Sequence, residues 1–312
     1  MGKRIRSILI LILFCAVLFF CLVRINYVVR DKQNSGVWDK FEAFDKDSID
    51  VIFVGTSHQF CSVNPEQLYE DYGINSFMLA TSAQTVPMSY YAVCEAIEEQ
   101  HPDTIVFEVS YMANDFRTVT DEMSHCFFDG MPLGKNRTAA IKDLIEPENQ
   151  IYFNIPLGLY HSRWQELAQE DYIPTNLDER GGVHYEASVT NTEIPLVDPS
   201  ETEALYPEME KYLRMIIDVC KENGVTLKMY AAPFNTLYDN DDASDLEGLK
   251  RRERVFNTIA SIAEDEGLEY VNMFYLIDEI GISSTDWMDR QHLNYFGAEK
   301  VSGWMVKSGF LE

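Results

Sequence analysis

Positive charge is scarce in this chain: 51 acidic residues stand against 25 basic ones in 312, for a formal net charge of −26. A polyanion is held through counterion release onto a basic surface, so nonspecific nucleic-acid or anionic-lipid binding is excluded as a main activity. There is no P-loop, no dinucleotide glycine fingerprint and no zinc signature, and no cofactor is expected. The histidines His125, His161 and His184 lack metal-ligand spacing and read as loop or packing residues. Cysteine is sparse, and Cys61, Cys94, Cys126 and Cys220 follow no metal or redox spacing, while a disulfide between two of them stays open. Internal repeats and low-complexity tracts are also missing.

One long apolar run is present. After Lys3, Arg4 and Arg6, the residues from Ser7 to Val23 are uncharged and mostly large and apolar, and Arg24 and Arg30 follow. As a helix this run covers roughly 25 Å, enough for a slightly thin bilayer with snorkelling arginines. A small-residue cleavage site does not follow it, and Cys15 and Cys21 each come after phenylalanine, unlike lipid-attachment cysteines. The expectation is an uncleaved single-pass anchor with a cytoplasmic amino terminus and an outward-facing body, an asymmetry that Arg24 and Arg30 weaken.

Beyond a charged linker at 31–49, in which Val37–Phe44 is a candidate short helix, strand and helix alternate as in βαβ crossovers. Strands are expected at Val51–Gly55, Ser76–Ala80, Thr104–Val109, Val225–Ala231 and Leu268–Met273. Helices are expected at Pro65–Tyr72, Met88–Gln100, Ser200–Asn223, Leu246–Glu266 and Tyr295–Lys307, the last capped by Asn294. An acidic loop, Asp239–Asp245, lies between the fourth strand and the next helix. From about 111 to 200 no period is sustained, and the segment reads as an insertion placed to form a lid or substrate wall.

Two short segments carry the chemistry. Val51-Ile-Phe-Val-Gly-Thr-Ser57-His58 puts a serine where a buried parallel strand turns into a helix, the edge where open α/β sheets bind ligands. Asp289-Arg-Gln-His292 sets a carboxylate three residues before an imidazole, which it can orient to take a proton from a serine hydroxyl. Singly, Ser57 reads as a helix N-cap, Asp289 as a loop residue and His292 as a satisfied histidine near a cap. Their joint order at opposite ends of an α/β chain favours a triad. His58 reads as a neighbour lining the cleft, and the insertion's tyrosines as core packing or sugar stacking.

With Gly55-Thr-Ser57 after the first strand and Asp289-x-x-His292 before the final helix, the chain resembles the SGNH/GDSL hydrolase superfamily over roughly Asp50–Ala113 and Val225 to the end. The resemblance implies a flavodoxin-like doubly wound five-stranded parallel sheet spanning 50–312, with the insertion after strand three. It makes Ser57 the nucleophile, His292 the base and Asp289 its orienting acid. The α/β-hydrolase elbow fits less well, since Gln59 stands where its second glycine belongs. The anchor and the His-Leu-Asn-x-x-Gly ending look most like membrane-anchored members that serve bacterial envelope acylation, the lipoteichoic acid D-alanylation protein among them. That implies an extracytoplasmic esterase or O-acyltransferase working through an acyl-enzyme on an acylated envelope glycan or polymer, and a membrane acyl-exporting partner would suit transfer.

The chain departs from the pattern at the oxyanion hole, where the family uses the serine amide, a glycine amide after strand two and an asparagine after strand three. Here Ser57 and Ala83, or Ser82, would supply the amides. Asn114 would supply the side chain, a couple of residues later than the motif expects, and Thr56 replaces the family's aspartate. The missing glycine motivates an alternative, a non-catalytic envelope assembly or carrier-binding protein on the same fold. A lipase-like enzyme on membrane lipids is a third reading, which the acidic body does not encourage.

Overall fold

The computed structural model describes residues 2–30, 36–115, 117–172, 177–186, 197–234, 243–289 and 291–311. Parts of the expected linker (31–35), of the insertion and of the acidic loop (239–242) lie outside the described residues. The chain begins with helix α1 (Gly2–Val29), whose Arg4–Val29 portion is long and apolar enough to cross a membrane or to serve as a signal sequence; that portion is exposed up to Ile25 but buried at Val29.

Five strands then form one parallel sheet: β1 (Val51–Gly55), β2 (Ser76–Ala80), β3 (Thr104–Glu108), β4 (Thr226–Ala231) and β5 (Glu269–Asn272), in the order β2-β1-β3-β4-β5. This is the flavodoxin-like order, with its topological switch between β1 and β3. Before and between the strands lie α2 (Gly36–Phe41), α3 (Ser57–Ser62), α4 (Pro65–Tyr72), α5 (Val86–Gln100), α6 (Asp121–Phe128), α7 (Lys135–Leu144), α8 (Gln150–Asn154), α9 (Leu157–Tyr160), α10 (Pro207–Asn223) and α11 (Ala243–Glu266). After β5 come α12 (Ile277–Ile280) and α13 (Tyr295–Lys307).

Alternation along each strand feeds two cores. Ile52, Val54, Phe77, Leu79, Ile105, Phe107, Leu227 and Met229 face one layer, with Ile97, Ile216 and Phe256 from α5, α10 and α11. Phe53, Met78, Val106 and Tyr230 face the other, with Leu68 from α4 and Val301 and Met305 from α13. Burial on both faces accounts for the nearly unbroken apolar runs of these strands.

Several expected bounds shift for local reasons. The helix expected from Ser200 starts at Pro207, because the residue before a proline is pushed out of the helical region and Pro then occupies the first turn. The helix expected from Met88 starts at Val86, capped by the Thr85 hydroxyl. Within the expected linker, Val37, Trp38, Phe41 and Ile49 are buried in the first core, and Trp38 meets Phe127 edge-on with ring centroids 5.6 Å apart. A tryptophan with its whole surface enclosed belongs to the body, whatever the charge of its neighbours. No disulfide joins the described cysteines.

The insertion divides in two. Its helices α7 and α9 pack against α5 and α1 respectively. His125 lies within it, buried and stacked on Phe153 at 4.0 Å, with Nδ1 2.7 Å from Asp129 Oδ1. Its stretch 177–186 instead borders β2, where the Met78 amide donates to Arg180 O at 2.9 Å, and reaches the start of α13, where the Tyr295 amide donates to Tyr185 O at 2.8 Å.

Trp38→Ala should destabilise the protein by about 3–5 kcal/mol, the cost of a large cavity in a packed core. Urea unfolding of the full chain reads this, and a loss under 1 kcal/mol would place residues 36–41 outside the folded unit.

Candidate active site

β1 ends at Gly55 because nothing larger fits: a Cβ there would lie 2.8 Å from Gln59 Cβ and 3.0 Å from Glu108 Cβ. The close turn lets α3 start at once, with Thr56 as its extended N-cap and Ser57 as its first residue. An amide in the first turn of a helix has no intrahelical acceptor and points outward. The other end of α3 is tied to the sheet, since Gln59 Nε2 donates to the Tyr230 hydroxyl at 2.8 Å and Ser62 Oγ lies 2.7 Å from that hydroxyl.

The Asp289–His292 turn is held as firmly. Trp287 and Leu293 form an antiparallel bridge, and the Met288 amide donates to His292 O at 2.9 Å. Asn294 caps α13 by accepting from the Gly297 amide at 3.2 Å, and its Nδ2 donates to Thr285 O at 2.8 Å. Gly297 is required by close approach, because a Cβ would sit 2.5 Å from Asp286 O. Asp286 in turn accepts from Ser283 and from Lys300 Nζ, the latter at 2.6 Å.

These two frames bring Ser57, His292 and Asp289 into line. Ser57 Oγ lies 2.8 Å from His292 Nε2, and His292 Nδ1 lies 3.0 and 2.9 Å from the two carboxylate oxygens of Asp289. Partial burial alone would raise the Asp289 pKa, but the Gln291 amide at 2.7 Å and the His292 imidazole and amide hold it below the usual carboxylate value. An ionised carboxylate on Nδ1 fixes the tautomer that leaves Nε2 free to accept the serine proton.

Ala83 and Asn114 follow β2 and β3, the two strands that flank β1, so both stand at the same sheet edge as Ser57. Ala83 has φ 53°, the left-handed conformation in which glycine is usually found. The missing glycine is therefore a matter of side chain and not of backbone shape. Gln84 secures the turn, its Oε1 accepting from the Thr81 amide at 3.0 Å and the Thr81 hydroxyl at 3.1 Å. Asn114 closes the 3-10 turn Ser110–Ala113 and is half-buried.

His58 is buried, stacked on Phe234 at 4.5 Å and tilted by 35° against His292 at 4.8 Å. Burial, the neighbouring His292 and Arg252 push its pKa well below the ordinary value, so the imidazole is neutral. Glu108, at the end of β3, is buried and accepts through Oε1 from the Ser110 amide at 2.9 Å, the Ser110 hydroxyl and the Ala232 amide at 3.3 Å. Burial pushes its pKa up to about 7 against the pull of those bonds. Gln59, Gln84 and Glu108 were not foreseen in the sequence; for Glu108, a carboxylate at the end of the apolar strand β3 was the available signal.

No family profile matches the chain, and no curated protein does. Among solved structures it is similar to a candidate acylhydrolase from Bacteroides fragilis (TM-score 0.41, 9% identity, 87% of this chain and 92% of that one). It is also similar to an acetyl xylan esterase (0.40, 14%, 83% and 99%) and to a GDSL-like lipase from Bacteroides thetaiotaomicron (0.39, 9%, 87% and 93%).

Two outcomes follow from this geometry. Glu108 is protonated in both states at low pH; its raised folded pKa means stability is fully present below the unfolded value and is lost as pH rises from about 4 to about 7. Urea midpoints of Glu108→Gln should lack this component, worth about 3 kcal/mol, that the parent chain shows between pH 4 and pH 8. At Ala83, glycine should leave thermal stability unchanged or raise it, since the alanine Cβ already crowds the following carbonyl at positive φ, whereas valine should lower it because β-branching adds to that crowding.

Proposed function

We propose that this chain is a serine acyl-transfer enzyme of the SGNH type, an esterase or O-acyltransferase held at the outer face of a membrane by α1. The observation that carries the reading is the relay from Ser57 through His292 to Asp289, with every link at hydrogen-bond distance. In the first half-reaction Ser57 Oγ attacks an ester carbonyl as His292 Nε2 takes its proton, and Asp289 stabilises the imidazolium. The oxyanion is met by the amides of Ser57 and Ala83 and by the Asn114 side chain. His292 then returns the proton to the leaving alcohol, and the acyl group stays on Ser57. Water completes hydrolysis in the second half-reaction; an acceptor hydroxyl completes transfer. Acylated envelope glycans or polymers are the substrate class an outward-facing anchored domain would meet, and a membrane partner that exports the acyl group would make it a transferase.

The non-catalytic reading drew on the absent glycine, and the left-handed backbone of Ala83, a conformation in which glycine is usually found, supports the catalytic reading over it. A fluorophosphonate probe applied to the full chain should label Ser57, located by mass spectrometry, and Ser57→Ala should abolish the label. His292→Ala should slow labelling by about 10³-fold or more, and Asn114→Ala should lower esterase turnover by about 10²-fold. A folded protein that takes no label would return the chain to the carrier-binding reading.

A further inference from the structure

Away from α1, five of the ten exposed large apolar side chains among the described residues lie in one stretch of the insertion: Ile151, Tyr152, Ile155, Leu159 and Trp164, the last 67% exposed. From Asn149 to Gln165 there is no acidic residue, in a chain where acids outnumber bases 51 to 25. Scattered exposed apolar residues need no explanation, but an acid-free cluster on so acidic a body does.

The same stretch is fastened to the end of α1. α8 packs on α9 and α9 on α1, and Arg163 Nη1 donates to Val29 O at 2.6 Å. Arg30, buried, donates to Asp129 O at 2.7 Å and is paired with Asp39. From Arg24 to Val29 the helix runs only about 9 Å past its apolar segment. The polar layer of one leaflet is about 5–8 Å deep.

We infer that residues 150–164 form a membrane-resting surface that seats the domain on the leaflet from which α1 emerges. This rests on α1 being a retained membrane helix. A patch bonded to Val29 is then held at the outer edge of the headgroup layer, within reach of the interface where Trp and Tyr side chains with one apolar and one polar end are favoured. The lack of acids removes the repulsion from anionic lipid that the rest of the body would meet. The domain is thus held at two points, helix and surface, and cannot swing freely on its anchor.

The test uses the full chain in phosphatidylcholine–phosphatidylglycerol vesicles with acyl chains brominated near the headgroup. Flotation after alkaline carbonate checks the anchor, and the Trp164 signal is taken as the difference from Trp164→Phe, which removes the contributions of the enclosed Trp38 and Trp287 and of the half-buried Trp304. The expected result is a floating chain whose Trp164 emission falls at least twofold with brominated lipid and is shielded from acrylamide. Adding Ile155→Glu and Leu159→Glu, both exposed, should reverse the quenching. A floating chain whose Trp164 is open to acrylamide and unquenched overturns the surface alone and leaves the patch to a protein partner. A chain that does not float overturns the anchor and the surface with it.

Discussion

Where β1 gives way to α3, the chain has room for a hydrogen atom on Gly55 and for little else. The tightness comes from three elements meeting at one point: Gln59 folds back over the turn from α3, and Glu108 crowds it from the end of β3. Because the approach is so close, Ser57 emerges directly at the sheet edge with its helix pinned by Gln59 to Tyr230 on β4. The second contact of this kind is Gly297 against Asp286 O, which lets α13 press on the loop that carries Asp289 and His292. Two missing side chains therefore set the distance between the nucleophile and its base, over 235 residues of chain.

Beneath a strongly acidic exterior, burial shifts the titratable groups around the site toward their neutral forms, while Arg252 lies 4.4 Å over the Phe234 ring. His58 is kept neutral against the face of His292, Glu108 titrates near neutrality, and burial together with Asp289 pushes the Cys61 thiol well up. A neutral imidazole beside His292 adds no repulsion when His292 takes a proton, and a neutral thiol does not compete with the hydroxyl for it. Among these neighbours Asp289 is held ionised by donors from its own turn, so the charge stands where an imidazolium would need it.

The strand positions and much of the helix pattern were legible because both depend on local terms, whereas the flavodoxin-like sheet order was implied only by the family resemblance. Strands buried on two faces read as short apolar runs, and proline, glycine and the Asn294 cap mark where helices begin and end. The burial of Trp38 was not legible for the converse reason: its neighbours are charged, and only the packing of α2 over β2 and Phe127 turns a polar stretch into core. The insertion was harder still, since its short helices are kept by contacts with α1 and α5 more than by a period of their own.

By itself the sequence determined which residue types could react, an acid and an imidazole three apart and a serine after an apolar strand, along with the alternating α/β order that orients them. Only the tertiary structure decided that Ser57 and His292 lie 2.8 Å apart, that Ala83 takes the backbone shape of an absent glycine, and that Glu108 is enclosed. The physical reason is range: propensity and capping act over a few residues, whereas close approach, burial and the proton affinities they shift arise between segments that meet only when the sheet has formed.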